Sequence, residues 1–305
     1  LLAINVYIWM AMAPAVHLTS MIGELNETIV SLCRIAEILE AETMATSRKG
    51  RGPALSKPCA IEFRDVTFSY APDVPLYCGL SLKIPADKMV AVVGPTGCGK
   101  TTLVSLLMRY WDPQEGDVLV NGVDVRDVDL GRLRGLFGIV SQDSTVFEGT
   151  IAWNIAYGLP HASREDIEAA ARAAEVMDFA DKLPEGLDAM LGTRGVKLSL
   201  GERQRLTIAR AIIKDPAILI MDEATAALDS HSESLIQKAI KNVLKGRTSL
   251  VIAHRLTTIT RADMIVVIDK GKIVDTGRHE ELLTRAGLYS RLYNELRMGN
   301  MEAIS

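Results

Sequence analysis

The chain has 305 residues, of which 48% are hydrophobic, 24% charged and 5% aromatic. This composition is typical of a globular protein and excludes a disordered, collagen-like or disulfide-rich class, while the length leaves room for about two domains. The formal net charge is -4, with 34 basic and 38 acidic side chains, so the chain lacks the cationic surplus that a nucleic-acid partner would need.

The N-terminal segment from Leu1 to Gly23 contains no charged side chain. A membrane helix needs about 20 mostly apolar residues, so this segment is long enough to be one. Apolar residues then recur at helical spacing, with charged residues on the other faces; they are Leu25, Ile29, Leu32, Ala36 and Leu39. We therefore predict that residues 1–42 contain the end of a last transmembrane helix and its extension into water. A buried helix of a soluble bundle is the alternative, because polar residues such as Asn5 and His17 dilute the apolar stretch.

The rest of the chain divides into a linker and one large domain. Residues 43–58 are rich in Thr, Ser, Gly, Lys, Arg and Pro, and this composition predicts the linker. Over residues 59–300, strand-like and helix-like runs alternate, which predicts an α/β domain with an antiparallel addition. The dipeptides Asn121-Gly122 and Lys270-Gly271 lie between β-rich runs, so each predicts a hairpin.

A glycine-rich segment provides the strongest chemical signal. Residues 94–101 read GPTGCGKT and match the pattern G-x-x-x-x-G-K-[ST] of a phosphate-binding loop. A β-run from Met89 to Val93 precedes the loop. The helix predicted to follow it has one apolar face, formed by Leu103, Leu106, Leu107 and Tyr110. A strand before the loop and a helix after it are the context that such a motif requires.

Each part of this loop has a chemical role. Backbone N–H groups face the phosphates, Lys100 reaches the β and γ oxygens, and Thr101 offers its hydroxyl to Mg²⁺. Cys98 is a bystander, although its place near a helix N-terminus favours an acidic thiol. The nucleotide-binding residues predicted here are Gly94, Pro95, Thr96, Gly97, Cys98, Gly99, Lys100, Thr101 and Thr102.

An acidic pair follows a second buried strand-like run. The run from Ala217 to Met221 is apolar and leads into Asp222-Glu223. A phosphate loop needs a second Mg²⁺ anchor on a neighbouring strand, and Asp222 is suited to hold the metal through water while Glu223 polarises the attacking water. A strand that merely ends in an acidic turn is the alternative.

The segment between these two motifs carries a family resemblance. Residues 197–216, KLSLGERQRLTIARAIIKDP, resemble the signature segment of ATP-binding-cassette (ABC) ATPases, usually written LSGGQ. The other motifs of that family occur in the expected order over residues 61–283; they are Tyr70, the phosphate loop, Gln142, the signature Leu198 to Glu202, Asp222-Glu223, Ala227-Leu228-Asp229 and His254. The segments 146–158 and 262–283 resemble the exporter branch, in which a membrane domain precedes the ATPase on the same chain.

The resemblance implies a fold and a set of site residues. The fold is a P-loop NTPase with a RecA-like core, an antiparallel β subdomain and an α-helical subdomain, preceded by a long membrane-derived helix. Tyr70 is implied to stack on adenine, Gln142 to touch the metal or its water, and His254 to contact the γ-phosphate. The implied catalytic residues are Glu223, His254, Lys100 and Gln142; the implied metal ligands are Thr101, Gln142 and Asp222; further nucleotide contacts are Ser199, Gly201, Glu202 and Asp229.

Three of these residues have a second interpretation from the sequence alone. Tyr70 ends a β-run and is equally suited to the core. Gln142 is equally a polar residue after a strand, and His254 is equally a hydrogen-bonded histidine at a strand end. Only the resemblance favours the functional assignment of these three side chains.

The signature departs from the family pattern at two positions. Leu200 stands where the common form has Gly, and Glu202 stands where it has Gln. Ser199 and Glu202 also form a capping-box pattern for a helix that ends near Lys214, which is compatible with phosphate binding at the same helix N-terminus. Leu200 puts the detailed geometry of the signature in question more than the activity. The carboxylate of Glu202, by contrast, would weaken a contact of the signature with the ribose or repel phosphate.

The resemblance also implies an assembly. In this family two ATPase domains meet head to tail, and the signature of one closes on ATP held by the phosphate loop of the other. We therefore expect a homodimer or heterodimer that hydrolyses ATP with Mg²⁺, coupled to its own transmembrane domain and to export of a substrate. The ATPase domain would lie on the cytosolic side of the membrane. Two alternatives stay open: a soluble ABC ATPase, and a nucleotide-binding regulator that does not hydrolyse ATP.

Overall fold

The structure is a computed structural model of the chain. It describes residues 2–40, 53, 55–72, 74–141, 144–159, 161–192, 195–222, 230–253, 256–285 and 287–302. The chain forms two compact units, Leu1–Ala45 and Thr46–Ser305. The domain limits predicted at residues 42 and 58 stay predictions.

The described part of the first unit forms helix α1 (Leu2–Glu40), of 39 residues with Pro14 inside it. The apolar residues predicted to repeat at helical spacing all lie within this helix. Among the described residues, no helix combines the length and the apolar character that crossing a bilayer requires. The assignment of residues 1–42 to the end of a transmembrane helix stays a prediction.

The second unit alternates strands and helices, as the sequence predicts. The strands are β1 Ile61–Ala71, β2 Val74–Ile84, β3 Met89–Val93, β4 Glu115–Val120, β5 Val123–Asp124, β6 Phe137–Val140, β7 Gly149–Thr150, β8 Met190–Leu191, β9 Ile218–Asp222, β10 Thr248–Ile252, β11 Met264–Asp269 and β12 Lys272–Gly277. The helices are α2 Lys100–Leu107, α3 Leu130–Gly135, α4 Ile151–Ile155, α5 Arg164–Ala173, α6 Met177–Ala180, α7 Leu200–Ile213, α8 Ser230–Leu244, α9 Leu256–Ile259, α10 His279–Thr284 and α11 Leu288–Glu302.

Two larger sheets and one short ribbon organise this unit. A six-stranded sheet has the order β12-β11-β3-β10-β9-β6, and a four-stranded sheet has the order β2-β1-β4-β5. In the six-stranded sheet every neighbouring pair is parallel except β11 with β12. The four-stranded sheet is antiparallel throughout, and β7 pairs with β8 as a separate antiparallel ribbon. This is the α/β architecture with an antiparallel addition that the sequence predicts.

Strand β3 shows how the layers pack, because it is buried on both faces. Val90 and Val92 belong to a core cluster that includes Phe63 of the four-stranded sheet. Ala91 and Val93 face the opposite way, into a cluster that includes Leu206 of α7. Successive residues of a strand point to opposite faces, so an unbroken apolar run fits a central strand covered on both sides.

Both predicted hairpins are confirmed. Asn121 has φ 50° and Gly122 has φ 77°, while Lys270 has φ 47° and Gly271 has φ 72°. Two consecutive positive φ values in a two-residue loop match the right-handed twist of the strands on either side. A Cβ at Gly271 would also lie 1.5 Å from the carbonyl oxygen of Leu76, so this turn approaches β2 more closely than any other residue type allows.

The helix after the phosphate loop ends earlier than its apolar pattern predicts. Helix α2 stops at Leu107, and Tyr110 is 47% exposed instead of completing the buried face. Arg109 adopts φ 54°, its N–H donates to Leu106 O, and the N–H of Tyr110 donates to Ser105 O. These two bonds form a Schellman ending with arginine at the position where glycine is usual. Tyr110 is therefore outside the helix.

Candidate functional site

The phosphate loop connects β3 to α2, as the sequence predicts. Gly97 has φ 80° and Gly99 has φ 111°, both in the left-handed region that favours glycine. A Cβ at Gly94 would lie 2.1 Å from Ile268 O, and one at Gly99 would lie 2.7 Å from the hydroxyl of Tyr77. The loop therefore requires glycine at these three positions, for conformation or for space.

Lys100 begins α2 and folds back over the loop. Its Nζ donates to Gly94 O at 2.7 Å and to Pro95 O at 2.9 Å, and the residue is 8% exposed. Thr96 and Gly97 at the tip of the loop are exposed, and so is Thr101 in the first turn of α2. The loop thus encloses one ammonium group beside a helix N-terminus, an arrangement that attracts phosphate.

Cys98 does not have the acidic thiol that its position favours. The side chain is 5% exposed, and its Sγ lies 4.0 Å from Lys100 Nζ. Burial raises the pKa of the Cys98 thiol, and the nearby ammonium of Lys100 offsets only part of that effect. The expectation of an acidic thiol is wrong because desolvation of the thiolate outweighs the helix terminus.

Tyr70 lies beside the loop and is 54% exposed, so it is not a core residue. Its hydroxyl lies 3.1 Å from Thr102 Oγ1, on the third residue of α2. Its ring meets Phe68 edge-to-face at 4.9 Å and Trp111 at 5.4 Å. An exposed aromatic ring beside a phosphate loop is suited to stack on a nucleobase.

Asp222 lies at the same sheet edge as the phosphate loop. Val92 of β3 pairs with Ile252 of β10, and Ile252 pairs with Asp222 of β9. The carboxyl ends of these parallel strands form one edge, and two strand spacings place Asp222 about 10 Å from β3. Asp222 is half-buried there. The predicted residues Gln142, Glu223, Asp229 and His254 lie outside the described residues.

The capping box predicted at the signature is confirmed. Ser199 is the N-cap of α7, its Oγ accepts from the N–H of Glu202 at 3.3 Å, and the Glu202 carboxylate accepts from the N–H of Ser199 at 2.7 Å. Ser199 and Leu200 are exposed, with Leu200 at 44%, while Gly201 is buried. The Glu202 carboxylate is thus occupied within its own helix end, and the helix runs to Ile213 with Lys214 as C-cap.

The phosphate loop and the signature begin helices on opposite faces of the six-stranded sheet. The buried residues of α2, Leu103, Leu106 and Leu107, lie in the cluster between the two larger sheets. Those of α7, including Ile208 and Ala211, lie in the cluster on the other face. One chain therefore presents its two nucleotide-binding motifs from different layers.

Three structural features of the site have no sequence signal. The Tyr77 hydroxyl donates to Gly99 O at 2.5 Å and so fixes the last turn of the phosphate loop. Trp111 packs against Tyr70, and Arg210 ties the signature helix to Asn154 of α4. Each contact joins residues that are distant in the chain, and no local spacing pattern reveals it.

Neither the phosphate loop nor Asp222 lines any of three cavities found among the described residues. One of them, of about 610 Å³, is lined by residues such as Met89 and Arg247, next to the amino ends of β3 and β10, and another, of about 540 Å³, is lined by the signature residues Leu198 and Leu200. The phosphate loop and Asp222 lie at the carboxyl ends of the strands. The site is therefore defined by its backbone geometry and charged groups.

Comparisons with known proteins agree with this geometry. The family model described as "ABC transporter" matches residues 77–226. The chain is 44% identical over 288 residues to the ATP-dependent lipid A-core flippase of Desulfotalea psychrophila, covering 93% of this chain and 50% of that protein. It is 40% identical over 297 residues to the mitochondrial iron-sulfur clusters transporter ATM1 of Gibberella zeae, covering 96% of this chain and 43% of that protein.

A solved structure shows the same fold. The structure of a bacterial Atm1-family ABC exporter with ATP bound matches with a TM-score of 0.79 at 40% identity, covering 88% of this chain and 47% of that one. The chain thus spans half or less of the length of each of these three proteins. On these matches and on the loop and signature described above, the chain belongs to the ABC transporter family and carries its ATP-binding domain.

Proposed function

We propose that this chain supplies the ATP-hydrolysing part of an exporter. The observation that carries the proposal is the phosphate loop, in which carbonyl groups of the loop enclose the Lys100 ammonium at the same sheet edge as Asp222. The names of the similar proteins, a flippase, a transporter and an exporter, support the transport function. We place the ATP-binding domain on the cytosolic side of a membrane, as the resemblance to the exporter branch implies.

The proposed chemistry is in-line attack of water on the γ-phosphate of ATP. The loop N–H groups and Lys100 bind the phosphates and absorb the charge that develops there. Glu223 acts as the base that polarises the water, with His254 and Gln142 as positioning groups. Tyr70 stacks on the adenine ring, which its exposure supports.

Mg²⁺ would be held by Thr101, Asp222 and Gln142. Hydroxyl, carboxylate and amide oxygens are the hard ligands that this ion prefers, and Thr101 is exposed in the first turn of α2. The fit is supported by the half-buried Asp222 at the edge where β3 leads into the loop. When bound, the ion neutralises charge on the phosphate oxygens.

A complete site is proposed to form between two ATP-binding domains. The positions of α2 and α7 on opposite sheet faces support this, since neither helix packs into the other's cluster. Ser199 at the N-terminus of α7 is exposed and available to a nucleotide held by another copy or a related chain. Closure on ATP and release after hydrolysis would then move the transmembrane domain.

The test separates binding from hydrolysis in the full natural chain. Glu223→Gln is expected to keep ATP binding but slow phosphate release at least about a hundredfold, at the lower end of the range for a positioned base. Lys100→Ala is expected to lose binding of a fluorescent ATP analogue. The matched controls are Glu165→Gln, at an exposed position of α5, and Lys88→Ala, whose ammonium lies at the amino end of β3 beside Asp263.

The outcomes distinguish the alternatives. Near-normal turnover in Glu223→Gln contradicts the assignment of the base. ATP binding without phosphate release in the unmodified protein favours a regulator that does not hydrolyse. Recovery of the natural protein in buffer without detergent favours a soluble ABC ATPase.

A further inference from the structure

Three aromatic rings form a corner beside the phosphate loop, and two of them have no role in the proposed chemistry. We call this group the aromatic corner; it consists of Phe68, Tyr70 and Trp111. Tyr70 and Trp111 are perpendicular, with ring centroids 5.4 Å apart and an interplanar angle of 90°. Phe68 meets Tyr70 at 84° and 4.9 Å. Edge-to-face contacts of this kind are favourable and fix the plane of a ring.

The segment that carries Trp111 is held at both ends. At one end Arg109, 3% exposed, closes α2 in its left-handed conformation and donates from Nε to Asp112 Oδ1 at 3.0 Å. At the other end the Gln114 amide pairs with the backbone of Ser69, accepting from its N–H at 3.0 Å and donating to its carbonyl at 2.9 Å. Since Ser69 precedes Tyr70, Trp111 and Tyr70 are fixed relative to each other.

Tyr70 is tied to the phosphate loop by its other end. Its hydroxyl lies 3.1 Å from Thr102 Oγ1, next to the exposed Thr101 in the first turn of α2. The ring is thus restrained by Trp111, by Phe68 and by Thr102, while 54% of the residue remains open to solvent. A stacking platform held in this way loses less side-chain entropy when a base binds.

We propose that Trp111 is a positioning residue of the nucleotide site, which acts on the base by fixing the plane of Tyr70. The inference rests on the proposed function, because it assigns a further residue to the same ATP site. It predicts that Trp111 affects how tightly nucleotide binds and leaves the chemical step unchanged, since its ring contacts Tyr70 and Phe68, neither of which takes part in that step.

The experiment measures nucleotide affinity and steady-state hydrolysis in the full natural chain. Trp111→Ala is expected to weaken ATP and GTP binding about two- to tenfold, the range for the loss of one edge-to-face aromatic pair. The KM for ATP rises by the same factor, and kcat at saturating ATP stays within about twofold. Trp111→Phe keeps an aromatic edge against Tyr70 and restores most of the affinity.

The chain offers a matched control in the neighbouring residue. Tyr110 is 47% exposed against 50% for Trp111, but its ring contacts the Arg134 guanidinium at 5.0 Å. Tyr110→Ala removes an aromatic ring from the same segment and is expected to leave nucleotide affinity unchanged. Equal loss in Tyr110→Ala would mean that the segment matters only for folding and would overturn the role of Trp111.

A double-mutant cycle tests whether Trp111 acts through Tyr70. In a Tyr70→Ala background, Trp111→Ala is expected to cause no further loss of affinity, because the ring it positions is gone. A loss of the same size in both backgrounds overturns the inference and means that Trp111 contacts nucleotide by itself. If the proposed function itself were wrong, the result would differ: Lys100→Ala would bind ATP as tightly as the unmodified chain.

Discussion

The phosphate loop needs glycine at single positions, either because φ is positive there or because a Cβ would have no room. Gly99 combines φ 111° with a Cβ position 2.7 Å from the Tyr77 hydroxyl, which also donates to the carbonyl of Gly99. An added methyl group therefore meets both an unfavourable backbone conformation and a buried side chain. The loop would have to shift at the residue directly before Lys100.

Gly99→Ala is expected to reduce ATP affinity at least about tenfold, because displacing the helix N-terminus removes aligned N–H groups from the phosphates. Gly135→Ala is the matched control, since a Cβ there meets nothing within 4 Å and the residue ends helix α3. Titration with a fluorescent ATP analogue measures both variants. Unchanged affinity in Gly99→Ala would contradict the requirement for glycine.

At the scale of single residues, the sequence predicts those features of the site whose conformation depends only on neighbouring residues in the chain. The loop from Gly94 to Thr101 could be predicted from the sequence because its conformation depends on its own glycines and on the strand and helix beside it. The residue at which α2 ends could not be predicted. Arg109 takes a left-handed conformation that glycine usually supplies, and it is held there by Asp112 and by burial, so the apolar pattern extends the helix too far to Tyr110.

At the scale of elements, Arg210 joins the signature helix to the segment that follows Gln142. From α7 its guanidinium donates to Asn154 O at 2.7 Å, to Asn154 Oδ1 and to Thr145 O. It also lies over the rings of Phe147 and Tyr157, at 5.1 and 5.9 Å. Arg210 is half-buried, and this burial lowers the pKa of its guanidinium from the ordinary value.

Arg210→Ala is expected to lower the free energy of unfolding of this unit by about 2–4 kcal/mol, because it leaves the carbonyl oxygen of the buried Asn154 without its guanidinium donor and removes the contacts with two aromatic rings. Arg210→Lys keeps the charge but cannot span three acceptors, so it recovers only part of that loss. Arg164→Ala is the control: its guanidinium binds the carboxylate of Asp188 at 2.7 Å, but the two side chains are 49% and 61% exposed. Exposed pairs contribute about 0–1 kcal/mol.

Urea denaturation of the full natural chain, followed by tryptophan fluorescence, measures these differences. A loss in Arg164→Ala equal to that in Arg210→Ala would contradict the role assigned to burial. The start of α7, the helix that carries Arg210, could be predicted from the sequence, since Ser199 and Glu202 form a capping box there. The contact between Arg210 and Asn154 could not be predicted, because 56 residues separate them along the chain.

At the scale of the whole molecule, the order of strands decides which groups meet. The sequence predicts strands and helices in alternation, and both hairpins follow from Asn121-Gly122 and Lys270-Gly271. It does not predict that β10 enters between β3 and β9, which places Asp222 two strands from the phosphate loop. That order depends on the packing of both core clusters against one sheet, a property of the folded unit.

The proposed shared site makes a prediction that only an assembly of two chains can satisfy. The background is Glu223→Gln, in which a complete site traps Mg-ATP. Lys100→Ala then destroys the phosphate loop in one chain, and Ser199→Arg blocks the exposed signature in another. We expect neither variant to trap ATP alone, because every pair of identical chains then lacks one half of each site.

Mixing the two variants is expected to restore trapping. A mixed dimer pairs the intact loop of the Ser199→Arg chain with the intact signature of the Lys100→Ala chain, and this regenerates one good site. A site built within one chain would give no rescue, since every chain in the mixture still carries one broken motif. Occluded nucleotide measured after mixing and reconstitution decides between them: absence of trapping despite mixed dimers overturns the shared site, whereas absence of mixed dimers indicates that a different partner chain completes it.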